Sequence, residues 1–430
     1  MNKDDIRYSA YVNILKRELV KAMGCTEPIA VAYAAAKARA TLGDIPDKIV
    51  IAASGNIIKN VKSVIVPNSG GRKGIPAAAA LGVLGGDEDA ELLVIANVSD
   101  EVKKELPVYI ENTDITVELL ESDQLLDVEV TVFRGASYAM VHIVNEHTNI
   151  VRIEKNGEVL VDHDLATSSA DSEDDEAQAD YRLLNVEDIY DFADTCDLAD
   201  VEDVLHNQIE CNTAIAMEGL TNDWGANIGK NLLNNNENSI KTKARAMAAA
   251  GSDARMSGCE MPVIINSGSG NQGLTASLPV IVYAREQGLP EERLLRGMLV
   301  SNLVTIHAKT SIGRLSAYCG AITAGAGAGA GIAYVCGGGL DTISHTIVNA
   351  LAITSGIVCD GAKASCAAKI AVAVEAGIMG YEMYKDGQQF YGGDGLVLTG
   401  VEASIANFGY LGRVAMSETN KEICNMMVNC

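Results

Sequence analysis

The stretch GAGAGAG at residues 325–331 is the strongest indication of the fold in this chain. It is preceded by YCG at 318–320 and followed by VCGGG at 335–339 and GIVCDGAKASC at 356–366. Residues 315–340 contain no charged side chain. Because glycine and alanine let backbones approach closely, this segment predicts tightly packed, buried helices that carry four cysteines.

Three of these cysteines are candidates for binding a soft metal. Thiolates are preferred ligands of zinc, copper(I) and iron–sulfur clusters. Cys359 and Cys366 are seven residues apart, and Cys319 lies forty residues before Cys359. This spacing differs from the C-x-x-C pattern of zinc sites. It suits a cluster whose ligands come from separate helix ends and loops, while inert packing of the thiols is the alternative.

Composition and charge exclude several classes of protein. The chain has 430 residues, of which 48% are hydrophobic and only 4% aromatic, which is enough for a large core divided over two or three domains. Its formal net charge is −24. Because phosphate groups are bound by basic patches, this charge argues against nucleic acid and against anionic membrane surfaces as partners.

The cysteine pattern and the N-terminus indicate a reduced, cytoplasmic compartment. Ten cysteines at irregular spacing in a long chain do not resemble a secreted disulfide scaffold. The start MNKDD lacks the layout of a signal peptide. Residues 315–340 are long enough to span a bilayer, but their Gly and Ala content and the missing aromatic belt argue against it.

Changes in composition predict an α+β, multidomain chain. We expect a central α/β domain with a mixed sheet and a large all-helical, Gly/Ala-rich C-terminal domain. The predicted parts are an N-terminal helical arm at 1–45, the α/β domain at 46–165, an acidic linker at 166–203 and the all-helical domain at 204–430.

The motif GCTEP at 24–28 interrupts the predicted helices of the N-terminal arm. Gly24 is expected to end the first helix and Thr26 to cap the second. Cys25 then lies at a helix N-terminus, where the partial positive charge lowers the pKa of a thiol. The alternative is a buried structural cysteine.

Alternating hydrophobic residues predict the strands of the central domain. A strong turn signal, Asn156-Gly157, lies between the last two and predicts a hairpin. The expected strands occupy residues 48–53, 91–96, 115–120, 128–133, 138–144, 149–154 and 158–161.

Two loops combine glycines with short polar side chains. VPNSGGRKG at 66–74 leads into a helix and suits a carboxylate or a phosphate, although a plain surface turn fits the pattern equally. MPVIINSGSGNQG at 261–273 is a substrate loop or an elaborate turn. His307, after an apolar helix, is either a polar contact for a ligand or a satisfied core residue.

The GCTEP motif, the 266–273 loop and the three cysteines together resemble the L-cysteine desulfidase family, which is related to the α-chain domain of iron–sulfur L-serine dehydratases. The resemblance covers essentially the whole chain. It implies a [4Fe-4S] cluster held by Cys319, Cys359 and Cys366, with one iron open and no pyridoxal phosphate. The implied reaction converts L-cysteine into hydrogen sulfide, pyruvate and ammonia.

The resemblance also implies roles for further residues. Cys25 is the expected base for the α-proton, and its rival role is a fourth, displaceable cluster ligand. Cys430 is a possible fourth ligand in the resting state. The substrate carboxylate is expected in one of the two loops, and His307 and Lys363 are weaker candidates for polar contacts. The loop residues are Asn68, Ser69, Gly70, Gly71 and Arg72 in the first, and Asn266, Ser267, Gly268, Ser269, Asn271 and Gln272 in the second.

The expected partner is a small amino-acid substrate, and a homodimer is the default assembly for such an enzyme. Two alternatives stay open at this point. One is an L-serine dehydratase that uses the same site, because the leaving group cannot be read from these residues. The other is an iron–sulfur redox sensor without turnover.

Overall fold

A computed structural model describes residues 1–122, 124–163, 180–313 and 315–428. Cys430 and the acid-rich residues 166–179 of the predicted linker lie outside these ranges. Most of the described chain is helical. The helices are α1 Ile6–Glu18, α2 Thr26–Leu42, α3 Gly55–Val61, α4 Gly74–Gly85, α5 Asp100–Asn112, α6 Val186–Thr195, α7 Glu202–Thr221, α8 Ile228–Asn235, α9 Ile240–Met256, α10 Gly270–Glu286, α11 Glu291–Ile312, α12 Gly320–Val335, α13 Leu340–Thr354, α14 Cys366–Lys385, α15 Val401–Tyr410 and α16 Ser417–Val428.

The strands form a six-stranded mixed sheet and a separate two-stranded ribbon, which confirms the predicted α+β fold class. The sheet has the order β3-β2-β4-β5-β6-β7, in which β2 pairs parallel with β3 and antiparallel with β4. The strands are β1 Lys21–Met23, β2 Lys48–Ala53, β3 Asp114–Leu119, β4 Asp127–Arg134, β5 Ser137–Val144, β6 Ile150–Lys155, β7 Glu158–Asp162 and β8 Pro262–Ile264.

One face of the sheet is apolar and carries helices. Along β2, Ile49, Ile51 and Ala53 are buried, which matches the period of two that a half-buried strand requires. Helix α2 packs on β4 and β5. The predicted hairpin is confirmed, because Asn156 and Gly157 both have positive φ, as a type I′ turn requires.

One predicted strand is absent from the described part of the chain. Residues 91–96 were expected to form a strand, but Glu91–Leu93 is a 3-10 turn. Asp87 N–H donates to the carbonyl of Val94 at 2.9 Å and closes this segment on itself. A short apolar run in the sequence fits a strand and a buried turn equally, because both bury its side chains.

The N-terminal arm also differs from the expectation of two helices separated at Gly24. Helix α1 ends at Glu18, and the chain continues as β1, which pairs antiparallel with β8. Cys25, rather than Thr26, occupies the N-cap position of α2. The β1–β8 pair therefore ties the GCTEP motif to the segment that precedes the 266–273 loop.

The described part of the predicted linker is folded. Helix α6 lies within it, and its Phe192 ring makes edge-on contacts with Tyr8 and Tyr11 of α1, at centroid distances of 5.3 Å each. These aromatic contacts attach α6 to the N-terminal arm.

Helix α12 carries the glycine repeat, and residues Ala321–Val335 along it are buried. A Cβ atom on Gly325 would lie 2.4 Å from the Ala373 carbonyl oxygen of α14. On the adjacent face, a Cβ on Gly327 would lie 2.1 Å from Thr305 Oγ1 of α11. Gly329 and Gly331 repeat the two contacts one turn later. The alternating sequence thus presents two rows of glycines to two different helices.

Nowhere in the described ranges does a helix combine the length and the apolar character that crossing a bilayer requires.

The close approach of α12 to α14 predicts the effect of a single methyl group. Gly325→Ala should lower the free energy of unfolding by about 1–3 kcal/mol, because the neighbouring backbone must move. Urea-induced unfolding followed by circular dichroism measures this. Gly356→Ala is the matched control, since a Cβ on the exposed Gly356 meets nothing within 4 Å, and its effect should stay within about 0.5 kcal/mol. Equal stability of the two variants would contradict the packing argument.

Candidate active site

Cys319 and Cys359 are held side by side by backbone pairing. Tyr318 and Val358 form an isolated antiparallel bridge. Cys319 N–H donates to the carbonyl of Ile357 at 3.2 Å, and Cys359 N–H donates to that of Ala317 at 2.6 Å. Cys319 and Cys359, which are forty residues apart in the sequence, are therefore neighbours beside this bridge.

The loop between Cys359 and Cys366 is fixed by charged side chains. The Asp360 carboxylate accepts hydrogen bonds from the ammonium groups of Lys363 and Lys369. Although burial alone would raise the pKa of Asp360, these two lysines lower it to about 2. Lys369 also donates to the carbonyl of Val358 at 2.8 Å. Cys366 is the first residue of α14 and completes the group of three cysteines.

One cavity of about 110 Å³ brings the three cysteines together with Cys25 and the 267–272 loop. Pockets for drug-sized ligands usually measure roughly 300–1,000 Å³, so this one suits a small ligand. Its lining includes Cys25, Glu27, Asn60, His147, Arg255, Ser267, Gly268, Ser269, Asn271, Gln272, Lys309, Ser316, Tyr318, Cys319, Gly320, Cys359, Gly361, Ala362, Cys366 and Lys369.

Burial and mutual proximity affect the protonation of the cysteines. Burial, with smaller contributions from the neighbouring Cys359 and Cys366, raises the pKa of Cys319 to about 12. Burial also raises the pKa of Cys366. Thiolates so close to one another repel, and a cation bound between them would reverse this effect.

Cys25 forms a hydrogen-bonded pair with Glu27. The Cys25 thiol donates to Glu27 Oε2 at 3.0 Å, and Asn60 Nδ2 donates to Glu27 Oε1 at 2.9 Å. Both residues are buried. Burial alone would raise the pKa of Glu27, but nearby His147 and the bond from Cys25 hold it below the usual value. Glu27 is therefore the ionised acceptor of the pair.

The expectation that a helix N-terminus would lower the pKa of Cys25 was wrong. Cys25 does cap α2, yet burial and the adjacent Glu27 carboxylate raise the pKa of its thiol well above the ordinary value. Desolvation and a like charge disfavour the thiolate more strongly than the helix end favours it. Cys25 is consequently a thiol in the resting site.

The second polar loop is a tight turn whose tip faces the cavity. Asn266 and Ser269 exchange two backbone hydrogen bonds of 3.1 and 3.0 Å, and Ser267 and Gly268 between them have positive φ. Thr26 Oγ1 donates to the carbonyl of Gly268 at 2.9 Å. This bond joins the turn to the GCTEP motif beside the cysteines.

Asn266 connects the turn to the helices packed behind it. It is fully buried, and its Nδ2 donates to Asn302 Oδ1 at 2.9 Å. Asn302 in turn donates to Gln208 Oε1 at 2.7 Å. Asn266 thus anchors the turn to α7 and α11 and does not line the cavity.

Several polar atoms around the cavity have no hydrogen-bond partner among the described residues. Buried polar atoms are satisfied in the great majority of cases, so a concentration of exceptions marks a place where a ligand completes the bonding. These atoms are Asn60 Oδ1, Arg255 Nε and Nη2, Asn271 Oδ1, Gln272 Oε1 and Tyr318 Oη.

The surroundings of the cavity favour negative charge in an otherwise acidic chain. Three lining residues are basic, namely Arg255, Lys309 and Lys369, and Glu27 is the acidic one. Helices α2, α10, α12 and α14 also begin at this cavity, and within the described residues no N-cap side chain bonds their first N–H groups. Each helix start adds a partial positive charge.

The structure does not bring the first polar loop into this cavity. Asn68 and Ser69 are buried, and their side chains bond the backbone carbonyls of Ile95 and Val66. Arg72 Nη1 donates to the Ser69 carbonyl at 3.0 Å. Gly70 and Gly71 have positive φ at the exposed tip. Asn68, Ser69, Gly70, Gly71 and Arg72 therefore form a turn whose side chains bond backbone carbonyls, and the turn lies outside the cavity that holds the three cysteines.

His307 and Lys363 also lie outside the cavity lining. His307 Nε2 is 2.7 Å from Glu402 Oε2, so it joins α11 to α15. Lys363 pairs with Asp360 and stabilises the cysteine loop.

Sequence reasoning missed Glu27, Asn60, His147, Arg255, Lys309, Tyr318 and Lys369, all of which line the cavity. Two of them carried a usable signal. Glu27 belongs to the GCTEP motif, and Arg255 is a basic residue at the end of the Gly/Ala-rich segment AAAGSDARM at 248–256. The others come from elements whose proximity the sequence does not reveal.

The donor set fits an iron–sulfur cluster better than a single metal ion. Within the described ranges, no three His, Cys, Asp or Glu side chains are grouped as the ligands of one ion. The three cysteines instead surround a shared cavity from a bridge and a helix start. Fe–S clusters take thiolate ligands on different irons, and the basic lining suits the negative charge of such a group.

Comparisons with known proteins identify relatives over the whole length. Residues 94–425 match the family described as serine dehydratase alpha chain. A UPF0597 protein of Desulfitobacterium hafniense is 58% identical, with 100% of this chain and 99% of the relative covered. UPF0597 proteins of Finegoldia magna and Treponema denticola are 48% and 45% identical, with at least 97% of each chain covered.

The Cys25–Glu27 pair predicts a protonated thiol at neutral pH. The native protein should show an infrared S–H stretching band that is absent from Cys25→Ser. Glu27→Gln should remove the band at a lower pH than in the native protein, because loss of the carboxylate charge lowers the pKa of the thiol. Infrared difference spectra recorded over a pH series measure both effects. Absence of the band at neutral pH would show that Cys25 rests as a thiolate.

Proposed function

The chain belongs to the serine dehydratase alpha chain family, as the resemblance in its sequence predicted, and from this premise we propose that it is an iron–sulfur-dependent lyase that eliminates hydrogen sulfide from L-cysteine. The products are hydrogen sulfide and aminoacrylate, and the latter hydrolyses to pyruvate and ammonia. The substrate binds in the cavity lined by the three cysteines, the Ser267–Gln272 turn and the Cys25–Glu27 pair.

The convergence of Cys319, Cys359 and Cys366 on one small, basic cavity is the observation that carries this proposal. These three thiols would hold a [4Fe-4S] cluster, which supplies an open iron that acts as a Lewis acid toward the substrate thiolate. A soft thiolate is a favourable ligand for iron, which supports sulfur as the leaving group. No pyridoxal phosphate is needed for this reaction.

Removal of the α-proton falls to the Cys25–Glu27 pair. The Cys25 thiol passes its own proton to Glu27 Oε2, at 3.0 Å, in the same step in which its sulfur takes the proton from Cα, because the low pKa of Glu27 and the high pKa of Cys25 disfavour a separate first transfer. The electron pair of that C–H bond forms the Cα–Cβ double bond. The Cβ–S bond breaks with its electron pair on sulfur. Asn60 and Thr26 hold the Glu27 carboxylate in position through hydrogen bonds of 2.9 and 3.2 Å.

The surrounding lining supports this reaction electrostatically. Lys369 is fixed by Asp360 and Val358 near the cysteines, and Arg255 lies within electrostatic range of Cys25 and Glu27. Arg255 favours the negatively charged forms of the Cys25–Glu27 pair and thereby opposes the effect of burial. Positive groups that are fixed before reaction stabilise developing negative charge without reorganisation.

The family match favours a second candidate activity, the dehydration of L-serine at the same site. The chain's own residues would act in the same way, with hydroxide replacing hydrosulfide as the leaving group. The two activities are distinguished by the product that accompanies pyruvate. The proposed role of Cys430 as a fourth ligand concerns a residue outside the described ranges.

The anaerobically purified protein should contain iron and inorganic sulfide and should form equal amounts of sulfide and pyruvate from L-cysteine. Cys319→Ser, Cys359→Ser and Cys366→Ser should each lose most of the iron and all turnover, because each removes one of three ligands. Iron analysis, visible absorption and product assays with L-cysteine and L-serine measure this.

Two other cysteines provide controls for these variants. Cys259 is buried outside the cavity and Cys336 is half-buried at the end of α12, so Cys259→Ser and Cys336→Ser should keep iron and activity. Cys25→Ser should keep iron and lose turnover by about 10²–10⁴-fold, as expected for a general base. Full iron content in any of the three ligand variants would refute the ligand assignment.

A further inference from the structure

Arg255 is the largest side chain among the fully buried residues of the structure. It lies in the last turn of α9 and is 2% exposed, and its guanidinium group reaches the cavity. Its Nε and Nη2 have no hydrogen-bond partner among the described residues. Arginine remains protonated in proteins, so this is a buried positive charge with unused donors that face a cavity.

Such a group requires an anion. Burying a charge without a partner costs several kcal/mol, and the cost is offset when a carboxylate binds with bidentate geometry. Glu27 acts on Arg255 only through space, since no ion pair between the two is formed in the described part of the chain. Glu27 instead bonds Cys25, Thr26 and Asn60. Among the described residues Arg255 therefore has no anionic partner, and a bound anion would supply one.

The backbone is shaped around this guanidinium group. A Cβ atom on Gly270, the first residue of α10, would lie 2.3 Å from Arg255 Nε and 2.7 Å from Cζ. Only glycine permits this contact between the side chain and the start of the helix. The first N–H groups of α10 and the guanidinium N–H groups thus face one end of the cavity together, as two donor sets for one anion.

Acceptor groups lie in the same first turn of α10. Gln272 is 4% exposed, its Oε1 has no partner among the described residues, and its amide group packs against Gly320 at the start of α12. Asn271 Oδ1 is also without a partner in that part of the chain. Both side chains line the cavity, so donors for an anion and acceptors for a cation stand next to each other.

We propose that Arg255 binds the α-carboxylate of the substrate, while Asn271 and Gln272 accept hydrogen bonds from its α-ammonium group. This pair of charged contacts selects zwitterionic α-amino acids and rejects thiols that lack a carboxylate. The inference rests on the proposed function for the identity of the substrate, but it assigns a specificity-determining residue that the cysteine ligands do not imply.

The substrate series comes first because it requires no substitution. The native protein should turn over L-cysteine, and cysteamine and L-cysteine methyl ester should show at least about a hundredfold lower kcat/KM, since a buried charge pair is then lost. Arg255→Met should raise KM for L-cysteine by at least about a hundredfold with a smaller change in kcat, and it should abolish the preference for L-cysteine over cysteamine. Arg255→Lys should fall between the two proteins.

Arg245→Met is the matched control for Arg255→Met. Arg245 lies on the same helix, pairs with Glu375 at 3.0 Å and does not line the cavity, so its loss should leave KM unchanged. Gly270→Ala perturbs the same contact from the opposite side and should also raise KM, because the guanidinium group must move. Added guanidinium ion should partly restore L-cysteine turnover in Arg255→Met.

Calorimetric binding of L-alanine separates this inference from the proposed function. L-Alanine has both charged groups and no leaving group, so it should bind the native protein and bind Arg255→Met at least about a hundredfold more weakly, whether or not L-cysteine is turned over. If the native protein does not turn over L-cysteine but still binds L-alanine more tightly than Arg255→Met does, only the proposed reaction is refuted. Unchanged KM and unchanged L-alanine affinity in Arg255→Met, or loss of its iron, would overturn the inference, and iron loss would place Arg255 with the cluster.

Discussion

The close packing of α12 against α11 and α14 holds the helix starts of the candidate active site in place. At each of these contacts, an atom of a neighbouring helix lies so close to α12 that a Cβ atom on the glycine would collide with it. The alternation of glycine and alanine supplies free faces on two sides of one helix. Because α12 and α14 are fixed to each other along their length, their first residues, near Cys319 and Cys366, are fixed as well. The bridge between Tyr318 and Val358 then adds Cys359.

The cavity in which the three cysteines meet has an electrostatic environment that differs from the rest of the chain. The chain carries a formal charge of −24, yet the cavity is lined by three basic residues and one acidic residue and receives four helix starts. A protein that is acidic overall thus keeps one small region in which anions are stabilised. The proposed contents of that region, thiolates around iron and a substrate carboxylate, are all negatively charged. The Cys25–Glu27 pair also lines this region, and Arg255 opposes the raised pKa that burial imposes on the thiol.

The sequence predicted those parts of the fold that depend on local pattern. The glycine repeat indicated close helix packing, the alternating strands and the Asn156-Gly157 turn indicated the sheet, and the three cysteines were expected to meet. Features that depend on tertiary context were not accessible. The pKa of Cys25 was assigned from its helix position, but burial and Glu27 determine it. The 68–72 loop has the composition of an anion site, yet its side chains bond its own backbone and that of Ile95. Arg255 could not be identified as a cavity residue without knowing which helix end faces the cavity.

The proposed function requires three protein thiolates that hold a cluster with one iron left open for the substrate. Mössbauer spectra of the anaerobic protein, loaded with isotopically labelled iron, distinguish the iron sites of such a cluster. We expect a four-iron cluster with one iron site distinct from the other three, and a change at that site alone when L-cysteine is added. Four equivalent irons that do not respond to L-cysteine, or iron that is absent from anaerobically prepared protein, would contradict this expectation.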